Sequence, residues 1–373
     1  MLKYIRTLLL IITTAFVVTH AYADNYDPSK VIGQMRVVNK KLKFVIAHRG
    51  LYGRGVAENS IASIKAAADK GIEAVELDVK PSRNNTLWLF HDLTVGRATN
   101  YGYPSAFDPF SPNVGKNSEL NPPVNTLTDS QLNALKVKDI IGFILPTYAL
   151  RLEDVFAVAE QDFPNMVFIL DIKNANDVGQ AAFQSQKANM ADRVILKFSV
   201  SAILPDQVTR YTNGQPFVPT VYTGDLNAIV NEYRKEHPRR GAPVNAKLIV
   251  QDYLDKYTQQ KGFVYFELGM KTWPDGPLGS YAYHLHNLGV PIGNFSPVPE
   301  ARNGYFRSNG TCCASLNDYL TPSPYFGNET VDNRTSLRSM VDFFDNVLTD
   351  AASDAVSYAD SSGYRSDKYK ILR

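Results

Sequence analysis

A chain of 373 residues with 44% apolar side chains can bury a sizeable core, so one large α/β domain or two small ones both fit its length. Its 39 bases and 37 acids give a net charge of +2, and setting aside Lys3 and Arg6 of the leader leaves 37 of each from residue 24 onward. This balance excludes nucleic-acid binding through a broad basic surface. In residues 1–23 the two bases precede an apolar stretch from Leu8 to Val18 and then Ala21-Tyr22-Ala23, the layout of a cleavable export signal. That stretch is too short to span a bilayer as a helix, which needs about 20 residues. The expectation is an exported protein, periplasmic or secreted, with no stable membrane insertion and residues 24–373 as a single domain.

Phe44-Val45-Ile46-Ala47 is an apolar run ending at His48-Arg49-Gly50, and Ala74 to Val79 is a second run containing Glu76-Leu77-Asp78. Both read as strands. Residues 61–71 between them read as a helix, with Ser60 as N-cap and Gly71 closing it. Strand, helix, strand implies a parallel pair. Side chains two apart on a strand share a face, so Glu76 and Asp78 point the same way. Two such carboxylates repel unless a cation lies between them, and one hard divalent ion, Ca2+ or Mg2+, is the natural neutraliser. His91-Asp92 follows the apolar Leu87 to Phe90, where Trp88 reads as strand packing.

Residues 94–145 carry Tyr101, Tyr103, Phe107 and Phe110 among many prolines with no sustained period. They read as a long insertion capping the mouth of a site. Residues 166–173 form a third apolar run, with Asp171 and Lys173 on one face. Asp171 completes a three-carboxylate metal set, and Lys173 is placed to neutralise a phosphate beside it. Further runs at 194–199, 217–223, 263–270, 291–297 and 345–350 bring the total to eight strand candidates with helical stretches between. The pattern predicts a (β/α)8 TIM barrel, in which functional groups collect at the C-terminal ends of strands.

Several late features have structural readings. Arg234 to Arg240 is a solvated helix end broken at Pro238, and His284 and His286 are helix surface and core contacts because positions two apart diverge on a helix. Trp273 and Phe295 serve as apolar wall or core. Residues 298–340 form a loop-rich segment before the last strand, containing the adjacent Cys312 and Cys313, which can join only as a local disulfide. Asn84, Asn309, Asn328 and Asn333 each open an Asn-x-Ser/Thr triplet. The tail from Asp360 is polar and is expected to be mobile.

The stretches Ala47-His48-Arg49-Gly50, Glu58-Asn59-Ser60, Glu76-Leu77-Asp78-Val79 and His91-Asp92 resemble, in this order, the pattern of the glycerophosphodiester phosphodiesterase family. Pro146-Thr147 with Leu152-Glu153-Asp154-Val155, and Leu348-Thr349-Asp350, extend the resemblance. It implies the same barrel fold and a small-molecule phosphodiester as substrate, and it assigns no oligomeric state. Asp171-Ile172-Lys173 departs from the family's usual Glu-x-Lys and is closer to the related phospholipase D toxins of the sphingomyelinase type, whereas those relatives generally lack an arginine where Arg49 stands.

A phosphodiester is anionic, so its hydrolysis needs charge neutralisation, a base for the nucleophile and an acid for the leaving alkoxide. The cation at Glu76, Asp78 and Asp171, with Arg49 and Lys173, would bind the phosphoryl oxygens. His48 and His91 would share the acid and base roles, and Glu58 would orient a substrate hydroxyl or the metal shell. The expected activity is hydrolysis of glycerophosphodiesters to glycerol 3-phosphate and an alcohol. The alternatives are a phospholipase D-like enzyme acting on lysolipids or sphingomyelin, with a cyclic phosphate as one product, and a non-catalytic binding barrel.

Overall fold

The computed structural model describes residues 27–101, 121–238, 245–301 and 304–372. Residues 1–23, the aromatics Tyr103, Phe107 and Phe110 of the insertion, and Arg239-Arg240 lie outside that description. The strands in chain order are β1 (Phe44–His48), β2 (Ala74–Pro81), β3 (Leu87–Leu89), β4 (Lys136–Lys138), β5 (Ile144–Tyr148), β6 (Val167–Ile172), β7 (Val194–Ser199), β8 (Phe217–Val221), β9 (Phe266–Leu268), β10 (Ile292–Ser296) and β11 (Asn346–Thr349). The parallel ring runs β1-β11-β10-β9-β8-β7-β6-β2 and closes by pairing of β1 with β2. This is the expected (β/α)8 barrel, and its strands fall within the eight apolar runs except β2, which runs two residues past its own, to Pro81. Parallel strands covered on both faces have no solvent side, so they read as continuous apolar runs, and β1 is buried along its whole length.

The first crossover shows how local sequence sets the frame. Ser60 caps the helix Ile61–Asp69, accepting from Ser63 N while the Ser63 hydroxyl accepts from Ser60 N. Gly71, just past its end, has φ +71°. The barrel interior is packed by Ile46, Ala74, Ile169, Ile195, Val218 and Tyr265. Its N-terminal end is plugged by the helix Pro28–Met35, whose Val31, Ile32 and Met35 join the same cluster as Leu372 of the tail.

That tail corrects the expectation of a mobile end. Arg365 donates to both oxygens of Glu73 at 2.9 and 2.7 Å, and Lys368 lies 2.6 Å from the same carboxylate, which is fully buried. The insertion after β3 contains a short helix, Asp129–Asn133, and the antiparallel pair β4–β5. Trp88, Phe90, Val95, Leu132 and Val137 give it a small core of its own. Trp88 is buried there, with Nε1 donating to Asp129 at 3.0 Å.

Candidate active site

Strand register assembles the charged cluster at the C-terminal end of the barrel. His48 is the register partner of Glu76, Asp78 of Asp171, and Asp171 of Lys197. The chain then turns sharply after His48. Arg49 has φ +58° and Gly50 φ +77°. A Cβ on Gly50 would meet the Ser63 hydroxyl at 2.4 Å, so glycine is required there. The Ser63 hydroxyl also donates to Arg49 O at 3.0 Å, tying the turn to the helix it precedes.

Both histidines are backed by carboxylates. His48 Nδ1 lies 2.6 Å from Asp350 Oδ1, and His91 Nδ1 lies 2.8 Å from Asp92 Oδ1. The rings stand edge to face, 5.8 Å between centroids. With Nδ1 engaged, each ring is left with Nε2 for other work. Burial and Arg49 push the His48 pKa down, but Asp350 and Glu76 outweigh them, and the net direction is upward. Asp350 also accepts from Tyr52 and from Val298 N.

One set of ligand oxygens, from Glu76, Asp78 and Asp171, lies within 4.8 Å of one another. A second group, His48, Asp78 and His91, is equally close but mixes imidazoles with a single carboxylate. The three-carboxylate set suits a hard divalent cation better. Two observations fit such an ion. Glu76 Oε2 is buried with no hydrogen-bond partner, while its Oε1 accepts from Lys197 at 2.9 Å. Burial, with Asp78 adding to it, raises the Glu76 pKa even against Lys197. For Asp78 and Asp171 burial is outweighed: His91, Arg49 and His48 hold the first down, and Lys173 and Lys197 the second.

Arg49 Nη1 donates to Glu58 at 2.9 Å and to Glu300 at 2.6 Å, while its buried Nε has no acceptor. Glu58 is also gripped by Arg97, which donates to Asp92 at 2.7 Å as well. Glu58 therefore sits among the arginines. Lys173 donates to Asp171 at 2.7 Å with its side chain 61% exposed at the cleft.

Sequence reading missed Lys197, Glu267, Arg97 and Glu300. Lys197 links Glu76 to Glu267, 3.0 Å away. Its signal was present, a lysine inside the apolar run Val194–Ser199. Glu300 stands in a loop without periodicity and gave none.

The cleft, about 390 Å³, is lined by His48, Arg49, Glu76, His91, Asp171 and Lys173. Phe295, Tyr305, Phe306 and Tyr319 line it as well and form its aromatic wall. Trp273 is not part of this wall, packing instead against Phe343 and Phe344. His284 and His286 face Asp255 and Asp345, away from any metal arrangement. Cys312 and Cys313 are joined as a disulfide.

Known proteins resemble this chain at several levels. A crystal structure of a glycerophosphoryl diester phosphodiesterase from Parabacteroides distasonis superposes with TM-score 0.58 at 17% identity, covering 90% of this chain and 92% of its own. The Oleispira antarctica phosphodiesterase in complex with the product sn-glycerol-3-phosphate gives 0.51 at 15% identity, over 86% and 97%. At such identities the likeness is one of fold. A glycerophosphodiester phosphodiesterase from Caldanaerobacter subterraneus is 46% identical over 56 residues, 15% of this chain and only 23% of that relative. The family model for the glycerophosphoryl diester phosphodiesterases matches residues 48–237, more than half of the chain, from the first site histidine onward. The chain belongs to the glycerophosphoryl diester phosphodiesterase family.

Proposed function

We propose that the cleft hydrolyses glycerophosphodiesters to glycerol 3-phosphate and an alcohol, with one divalent cation, Ca2+ or Mg2+, held by Glu76, Asp78 and Asp171. The observation that carries this reading is the pair of carboxylate-backed histidines facing a three-carboxylate cluster whose Glu76 Oε2 is buried without a partner. When bound, the cation would neutralise charge on the phosphoryl group. Arg49, held by Glu58 and Glu300 and left with an unused Nε–H, binds a phosphoryl oxygen beside it. Lys173 reaches the same group from β6.

The charges behind the two histidines divide the proton transfers. Asp92 is shared between His91 and Arg97, whereas among the described side chains Asp350 accepts from only His48 and Tyr52. His48 therefore keeps its Nε2 proton and delivers it to the departing alkoxide as the phosphorus–oxygen bond breaks. His91 Nε2 takes the proton of the attacking oxygen, from water or from a hydroxyl of the glycerol moiety, the latter route passing through a cyclic phosphate. Export through the leader at residues 1–23 belongs to the same proposal.

Asp171-Ile172-Lys173 supports a second reading, a phospholipase D-like enzyme acting on lysolipids. Phosphorus NMR separates the two, using glycerophosphocholine and lysophosphatidylcholine with Ca2+ or Mg2+ and with chelator. Cation-dependent glycerol 3-phosphate from the water-soluble diester is expected. Lysophosphatidic acid or a cyclic phosphate from the lipid alone would replace the first reading with the second.

A further inference from the structure

The aromatic wall of the cleft is rich in donors that no described residue satisfies. Arg334 is buried and fixed in place, with Nε and Nη2 both donating to Asp332, at 2.9 and 2.6 Å, and its guanidinium 5.9 Å from the Phe295 ring centre. Its remaining nitrogen, Nη1, has no acceptor among the described residues. Phe295 in turn packs on His48, 4.5 Å between ring centres, so this nitrogen stands one aromatic ring from the reacting centre. Tyr305 and Tyr319 line the same cleft, and their hydroxyls also have no acceptors among the described residues. Burial pushes the Tyr305 pKa up to about 12, so its hydroxyl keeps the proton it can donate.

Acceptors on this wall are already used. Glu300 binds Arg49 and Phe306 N, and Glu267 binds Lys197. Aromatic faces do attract quaternary ammonium groups. Here, however, Arg334 lies over Phe295 and Arg97 over Phe306, so a cationic head group would be seated beside arginines. A donor-lined pocket selects by leaving its buried polar groups unpaired with the wrong ligand.

We propose that Arg334 and Tyr305, with Tyr319, form the subsite for the alcohol half of the substrate and select a hydroxyl-rich alcohol, a polyol, over a quaternary ammonium alcohol. This rests on the phosphodiesterase reading above and deepens it. A hydrogen bond from a charged donor is worth about 1.5–3 kcal/mol, or about ten- to a hundredfold in discrimination.

The test compares kcat/KM for glycerophosphoinositol and glycerophosphocholine in the wild type and in Arg334→Lys and Tyr305→Phe. The lysine retains a charge for Asp332 and the phenylalanine retains the ring, and a thermal midpoint near the wild type's checks that each variant has lost a donor and not the fold. The wild type is expected to favour the inositol diester by about tenfold or more, and each variant to collapse that ratio severalfold, chiefly through the polyol. A wild-type preference for the choline diester overturns the subsite. So does an equal loss on both substrates in the variants, which would place Arg334 on the shared glycerol. Absence of turnover on both diesters by the wild type would instead overturn the underlying phosphodiesterase reading, and the subsite with it.

Discussion

The two ends of the barrel both bury ionised groups, and they treat them oppositely. At the N-terminal end, Glu73 is met by Arg365 and Lys368, which also donate to the backbone oxygen of Gly71, so the charges are matched and bonded. At the C-terminal end, Glu76, Asp78 and Asp171 crowd together, and Glu76 Oε2 and Arg49 Nε are buried without a hydrogen bond. Burying an unpaired polar group costs free energy. A satisfied cluster holds the chain together, and an unsatisfied one has room for something that is not the chain.

The largest effect that would test this contrast is on turnover. His48→Ala should lower kcat by about 10²–10⁴-fold, the range a positioned acid contributes, while the thermal midpoint stays near that of the wild type. Loss of fold together with activity would place His48 among the structural charges. Conversely, Glu73→Gln leaves Arg365 and Lys368 buried without their carboxylate and should destabilise by about 3–5 kcal/mol in urea unfolding, with kcat little changed. A mild effect would mean that the tail is held by Leu372 and its neighbours alone.

Cation binding to the folded state alone raises stability by about 2.7 kcal/mol at a hundred times Kd. Added Ca2+ or Mg2+ should therefore raise the melting temperature of the wild type, chelator should lower it again, and Glu76→Gln should abolish the response. The gentlest test is acid. Paired with Arg365 and Lys368, Glu73 has a folded pKa below its ordinary 4.5, despite burial that works the other way. Its contribution is thus present above pH 4.5 and lost as pH falls further through the folded value. The urea midpoint of Glu73→Gln should fall less steeply than the wild type's below that pH.

The same contrast explains what the sequence made legible. The eight barrel strands could be read because strands covered on both faces are apolar throughout, and the charged residues ending them stood out. Register then brought His48, Glu76, Asp78 and Asp171 together, and local pattern predicts that much. The pairing of Glu73 with Arg365 spans 292 positions and leaves no trace in either neighbourhood, which is why the polar tail read as mobile. Glu300 and Arg97 were hidden for a similar reason, since the long loops that deliver them to Arg49 and Glu58 have no period to follow. Lys197 was the visible omission, a charge within a buried run that only a partner on another strand could justify.

The helix Pro28–Met35 and the tail helix Lys368–Leu372 pack against each other beneath the barrel, with Val31 and Leu372 in one apolar cluster. Both described ends of the chain therefore leave from the face opposite the cleft. Chain that continues from residue 27 or residue 372 starts on the side of the barrel away from the mouth of the cleft.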